Sequence, residues 1–260
     1  MALRQDYIGV FDSGLGGVSV LRRLLELMPG ERYLYFGDSA NAPYGSRSTR
    51  EVARLTFAAA ERMRREKPLK ALVLACNTAT AAAVEDLRKA YPELIVIGIE
   101  PALKVAADHF PGGRIGVMAT QVTLREEKFD TLLHRFENCT VTKLPVPGLL
   151  ERVEAGKGNS PEAEALLTPL LSPYRGQLDA VVLGCTHYPL AAQAIAKVLG
   201  PEVSLLDGGA GTARETRRRL QAADLLENGP GELIVENSSP DPALVRRVYS
   251  LLQEGTQAHA

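Results

Sequence analysis

Short apolar runs alternate with longer amphipathic segments along most of the chain, a pattern that restricts it to a mainly parallel sheet covered by helices. The runs are YIGVF (7–11), YLYF (33–36), ALVLA (71–75), LIVIG (94–98), RIGVM (114–118), VTKL (141–144), AVVLG (180–184) and VSLL (203–206). Each is read as a buried strand whose C-terminal end opens into a loop able to hold a ligand. Between them, residues 17–28 place Val18, Leu21, Leu24, Leu25 and Met28 on one helical stripe, halted by Pro29 and Gly30. Residues 49–66, 79–90, 101–109, 122–136, 161–172 and 213–226 read as helices too, and a last one follows residue 243.

The series breaks where IGIEPA (97–102) closes one set of strands and RIGVMAT begins another. Two similar α/β lobes are therefore expected, 1–98 with 208–260 and 99–207, with a cleft between them. The most pointed local feature recurs once in each. Cys76 ends an apolar run in KALVLACNTATAAA and Cys185 ends another in LDAVVLGCTHYPLA. A thiol where a strand meets a helix start has its thiolate favoured. Two of them, one per lobe, suit an enzyme that takes a proton from one face of a carbon and returns one to the other.

Several chemistries are disfavoured. With 30 Lys plus Arg against 31 Asp plus Glu, the formal net charge of -1 supplies no field to gather nucleic acid. Apolar stretches are broken well before 18 residues and no apolar leader is visible, so no membrane association and a cytoplasmic address are expected. Three cysteines and four histidines without CxxC make neither a disulfide framework nor a zinc site. Gly14, Gly16 and Gly17 lack the last spacing of a dinucleotide fingerprint, and no GK[ST] marks a P-loop. Lys70 and Lys104 stand alone, without the surroundings of a pyridoxal Schiff base. No cofactor and no metal are expected.

The polar residues at the strand ends are the candidates for chemistry. Asp12 and Ser13 sit in FDSGLGG, on the turn leading from the first strand into a helix. GDSANAPYG (37–45) holds Pro43, Tyr44 and Gly45, a rigid turn whose N–H groups are suited to face a carboxylate. Asn77 and Thr78 follow Cys76, as Thr186 and His187 follow Cys185. His187 is placed to exchange a proton with Cys185, Asp12 to serve Cys76, and Glu154 in PGLLERVEAG either to orient His187 or to lie on the surface. Cys139 has no such company and reads as structural. Asp207 either lines the cleft or caps a helix. A hydrolase with one nucleophilic cysteine and His187 as base, and a non-enzymatic protein with both cysteines in packing, are the rival readings.

Together, GVFDSGLGG, GDSANAPYG, LACNTATA, GVMAT and VVLGCTHYPL, with a weaker match at PVPGLLERVEAG, resemble the aspartate/glutamate racemase family, and glutamate racemase within it. The resemblance implies two α/β lobes related by a pseudo-twofold axis, an active site between them, and a homodimer. It makes Cys76 the base toward D-glutamate and Cys185 the base toward L-glutamate, with Asp12 assisting the first and His187, helped by Glu154, the second. It also assigns Ser13, Tyr44, Gly45, Asn77, Thr78, Thr120 and Thr186 to the ammonium and carboxylates, and implies D-glutamate supply for bacterial peptidoglycan. Aspartate racemase, or a related two-cysteine epimerase, is the nearest alternative. The chain departs from the family's usual pattern at Glu126, Phe129, Val146, Glu151 and Gly208.

Overall fold

The computed structural model describes residues 2–99, 102–119, 124, 136 and 138–254. Thr120 and the departures at Glu126 and Phe129 lie outside the described residues. The chain divides into two compact units, Met1–Ile99 with Gly209–Ala260, and Glu100–Gly208. Among the described residues no helix is long and apolar enough to cross a membrane.

The first unit is built on a wholly parallel five-stranded sheet. In it, β1 (Tyr7–Asp12), β2 (Arg32–Gly37), β3 (Leu69–Leu74), β4 (Ile95–Gly98) and β9 (Glu232–Asn237) lie in the order β4-β3-β1-β2-β9. The intervening helices are α1 (Val18–Leu27), α2 (Thr49–Glu66) and α3 (Asn77–Ala90), followed in the returning segment by α8 (Gly209–Ala222) and α9 (Pro242–Glu254). Side-chain alternation sends Tyr7, Phe11, Leu34, Phe36, Leu72 and Leu74 into one core with Val52, Ala59 and Met63 of α2 and Ala83 and Leu87 of α3. On the other face the buried hydroxyl of Tyr33 donates to Leu24 O and Met28 O at the end of α1. Ser48 caps α2 by accepting from Glu51 N at 3.2 Å, a device visible in the S-x-x-E spacing.

The second unit has its own parallel sheet of β5 (Arg114–Ala119), β6 (Thr140–Pro145), β7 (Ala180–Leu183) and β8 (Ser204–Asp207), in the order β6-β5-β7-β8. Its described helices are α4 (Leu103–His109), α5 (Leu149–Glu154), α6 (Pro161–Leu171) and α7 (Ala192–Leu199). Ile115, Val117 and Ala119 pack with Leu103 and Ala106 of α4 on one face, while Met118, Val181 and Leu183 pack with α5, α6 and α7 on the other.

Counted within its own unit, the third strand of each sheet lies beside the first, the fourth lies outside the third, and the second lies on the far side of the first. Connections from the first strand therefore leave in opposite directions across the sheet, opening a crevice at the carboxyl ends of first and third strands. The eight strands expected from the sequence are present with ends shifted by one or two residues, and β9 is an additional strand in a segment for which the sequence suggested no element. It pairs in parallel with β2 from Arg32↔Glu232 to Gly37↔Asn237, which brings the C-terminal segment into the first sheet.

Candidate active site

In the first unit the crevice is made by β1 and β3, whose register reaches Phe11↔Leu74 and continues through the bond from Ala75 N to Phe11 O at 2.8 Å. Two residues further on, Ser13 and Cys76 meet, with Oγ and Sγ 3.4 Å apart. Cys76 is the N-cap of α3, and its sulfur accepts from Ala79 N at 3.5 Å. The free amides at a helix start favour negative charge there. Next to it Asn77 Oδ1 is buried with no hydrogen-bond partner among the described residues. A buried polar atom left unpaired costs stability, and this one lies on the residue next to Cys76.

Asp12 is fully buried at the end of β1 and accepts from Gly14 N at 2.8 Å. A Cβ on Gly17 would lie 2.5 Å from Asp12 Cβ, so the glycine is what lets the start of α1 close over the carboxylate. From the neighbouring strand, Asp38 N donates to Asp12 O at 2.9 Å. The loop then turns back so that Tyr44, itself buried, donates its hydroxyl proton to Asp38 Oδ2 at 2.6 Å and tilts its ring against Phe11 at 6.2 Å. Burial, that bond and the nearby Asp38, Cys76 and Asp12 hold the Tyr44 phenol well above its ordinary range, so it stays protonated. Tyr44 and Gly45 open a short 3-10 turn ending at Ser46, and the leading N–H groups of such a turn have no partner within it.

In the second unit β5 and β7 form the corresponding crevice, and Gly184 N continues the pairing to Met118 O at 2.7 Å. Cys185 follows directly and is buried. It does not start an α-helix, as its apolar approach led one to expect. Pro189, which has no N–H to donate, sits in a 3-10 turn over Tyr188–Ala191, and α7 begins only at Ala192. The tighter path brings His187 back on the sulfur, with Nδ1 3.7 Å from Sγ. On its far side His187 Nε2 stands 2.5 Å from Glu154 Oε1, at the end of α5. Because a carboxylate only accepts, Nε2 carries the hydrogen of that contact, and Nδ1 is the ring nitrogen that faces the Cys185 sulfur.

Thr186 is buried on the same turn, and Thr78 is half-buried beside Asn77. Tyr188, buried against Cys185 in the core, has its phenol pushed up by burial, with the charges of Cys185 and Glu151 adding to it. Val146, at a departure from the family pattern, is buried in that core, whereas Glu151 is exposed on α5. Asp38 and Tyr188 were not singled out from sequence as site residues. Asp38 lay in view within a suspect loop, but only the fold sets its carboxylate under a phenol six residues on. Among the described residues no cluster of His, Cys, Asp and Glu is placed to hold a metal.

A buried thiol stands at the third-strand end of each of two like sheets, each beside a polar partner, and the Asp/Glu/hydantoin racemase family model matches residues 8–216; the chain belongs to that family. Within it, the chain is 45% identical to the glutamate racemase of Clostridium kluyveri over 251 residues, 95% of this chain and 97% of that one. The crystal structure of glutamate racemase from Thermus thermophilus, in complex with beta-chloro-D-alanine, is 35% identical with a TM-score of 0.82 over 96% of this chain and 94% of that one. That of glutamate racemase isoform RacE1 from Bacillus anthracis is 31% identical with a TM-score of 0.85 over 96% and 95%.

Proposed function

We propose that the chain interconverts L- and D-glutamate without a cofactor, by a two-base mechanism in which Cys76 and Cys185 act on opposite faces of one α-carbon. The observation that carries this reading is the matched pair of thiols, each at a third-strand end with its own polar partner, Ser13 for Cys76 and His187 for Cys185. In the direction from D to L, the Cys76 thiolate takes the α-proton and becomes a thiol. The electron pair left on carbon delocalises into the carboxylate, and the Cys185 thiol delivers its proton to the other face. The product leaves with Cys76 protonated and Cys185 ionised, so the two sulfurs must exchange protonation states with solvent before the next turnover in that direction. Asp12 serves that exchange at Cys76, and the Glu154–His187 pair serves it at Cys185.

An α-proton is far less acidic than a thiol, and each pKa unit is worth only about 1.4 kcal/mol. Most of the barrier reduction must then come from fixed donors around the carboxylate and from exclusion of water. The Tyr44 and Gly45 amides, Ser13, Asn77, Thr78, Thr120 and Thr186 are the donors and acceptors assigned to the ammonium and two carboxylates. The unpaired Asn77 Oδ1 suits the ammonium, which only donates. The same reading includes a homodimer, measurable by light scattering, and a cytoplasmic role supplying D-glutamate for peptidoglycan.

The decisive test is α-carbon exchange in deuterated water with purified L- and D-glutamate and no added cofactor. Racemisation with solvent deuterium at the α-carbon, lost in Cys76→Ser and in Cys185→Ser, is expected. A folded native chain that exchanges aspartate and not glutamate would move the assignment to aspartate. Retention of activity without Cys76, with a covalent adduct at Cys185, would replace racemisation by hydrolysis.

A further inference from the structure

We propose that Asp38 is a positioning residue that fixes the 39–46 turn through Tyr44 and Asn41, so that the Tyr44 phenol is a tether and the turn meets the substrate carboxylate with its backbone amides; this deepens the glutamate reading and rests on it. Asp38 is buried, 4% exposed, and its carboxylate is fully engaged. Oδ2 accepts from Tyr44 OH at 2.6 Å and from Asn41 Nδ2 at 3.1 Å, and Oδ1 accepts from Asn41 Nδ2 at 2.9 Å. Its backbone is engaged as well, donating to Asp12 O at 2.9 Å and accepting from Asn41 N at 3.0 Å. One residue therefore joins the end of β1, where Asp12 sits, to two points within the turn, Asn41 and Tyr44.

The consequence for Tyr44 is chemical. A phenol has one proton, and here it is given to a carboxylate that cannot return one. What remains on the phenol oxygen is lone pairs, which repel a substrate carboxylate. The raised Tyr44 pKa has the same sense, since the phenol keeps its proton rather than adding a charge beside Cys76. The amides of Tyr44 and Gly45 at the start of the 3-10 turn are the groups left to donate. Arg47 holds the far side of the turn, donating through Nε to Asn41 O at 2.8 Å and pairing with Glu51.

The test compares the full-length native chain with Asp38→Ala, Asp38→Asn, Tyr44→Phe and the Asp38→Ala/Tyr44→Phe double variant. KM and kcat for both glutamate enantiomers are measured beside amide hydrogen exchange over residues 38–47. Loss of a buried charge-assisted bond should raise KM roughly 10- to 100-fold, with kcat changed less than about 3-fold. Tyr44→Phe, which keeps the Asp38–Asn41 bonds, should lose no more than Asp38→Ala, the double variant should be no worse than Asp38→Ala, and Asp38→Asn, which still accepts the phenol proton, should recover part of the loss. Exchange over 38–47 should quicken in Asp38→Ala and Tyr44→Phe without substrate present. Additive losses would return the phenol to direct substrate contact and overturn the tether. So would an unchanged KM, or unchanged exchange. If Asp38→Ala does not fold, Asp38→Asn and Tyr44→Phe decide by the same readouts. A native chain inactive on glutamate would sink the glutamate reading, while the exchange data would still decide the tether.

Discussion

Glu154 and His187 are 33 residues apart in sequence and 2.5 Å apart in the fold, and that contact fixes which imidazole nitrogen faces Cys185. Replacing Glu154 by Gln keeps an acceptor and removes the charge that stabilises an imidazolium. Under the proposed mechanism kcat/KM should fall by roughly 100-fold. Enantiomers have equal free energies in water, so the fall must be the same in both directions. The asymmetry appears instead in the primary isotope effect, which should rise more for α-deuterated L-glutamate, where Cys185 takes the deuteron, than for the D form. Equal isotope effects, followed by polarimetry, would remove His187 and Glu154 from the Cys185 step. At this scale the sequence was legible wherever a residue lies within a turn of its strand end, as with Cys76 beside Asn77 or Cys185 beside His187. It was not legible for Asp38, whose side chain is occupied by partners that only a folded loop supplies.

At the scale of elements, β9 escaped notice because Glu232, Glu236 and Asn237 interrupt its apolar residues, the composition of a half-buried edge strand. The short α5 was missed as a helix because six residues give too little periodicity to read, and α7 begins at Ala192 rather than at Cys185. Yet β9 supports the candidate site. Just past its end Ser238 Oγ accepts from Ala40 N at 3.0 Å, and Asn237 Nδ2 donates to Ser39 Oγ at 2.9 Å, under the 39–46 turn. Glu236 faces Glu66 and Arg62 of α2. Burial, and then the bond and charge of Glu66, push its carboxyl from 4.5 to about 7, against the pull of Arg62. A carboxyl that binds its proton more tightly folded than unfolded stabilises the fold at low pH and loses that contribution as pH rises. The melting temperature should accordingly lose a component between about pH 5 and 7, and Glu236→Gln should remove that component. A pH profile identical in the two proteins would contradict the assignment.

Lys70 exerts a different kind of control at the opposite end of the same sheet. It is wholly buried, 2.6 Å from the equally buried Glu31, and donates to Leu225 O at 2.9 Å and to Arg4 O. Glu31 in turn accepts from Glu227 N at 2.8 Å. Lys70→Met would leave Glu31 charged and unpaired, at a cost of roughly 3–5 kcal/mol. Lys70→Met with Glu31→Leu should recover much of it, measured by urea unfolding. A single-variant loss below about 1 kcal/mol would mean that the pair is dispensable.

For the whole molecule, the α/β class and the division into two like sets of strands were readable from the order of apolar runs, because each strand announces itself locally. That the segment after β8 completes the first sheet was less so, since strand pairing between Arg32 and Glu232 leaves no mark on either stretch alone. The first unit is discontinuous in sequence and the second is not. Residues 100–208 expressed alone should therefore unfold cooperatively on heating, while 1–99 alone, lacking β9 and the carbonyl and amide partners of the Lys70–Glu31 pair, should not. Circular dichroism melts of the two fragments would decide it, and a cooperative melt of 1–99 would contradict the role given to the returning segment. On the ribosome the same arrangement reverses the usual order of completion. Synthesis proceeds at ~5–20 residues per second, so the stretch that forms the second unit has been made for about 1.5 to 6 seconds before the last strand of the first unit is complete. The half of the protein that is translated first is finished last, and until then its Cys76 sits on an incomplete sheet.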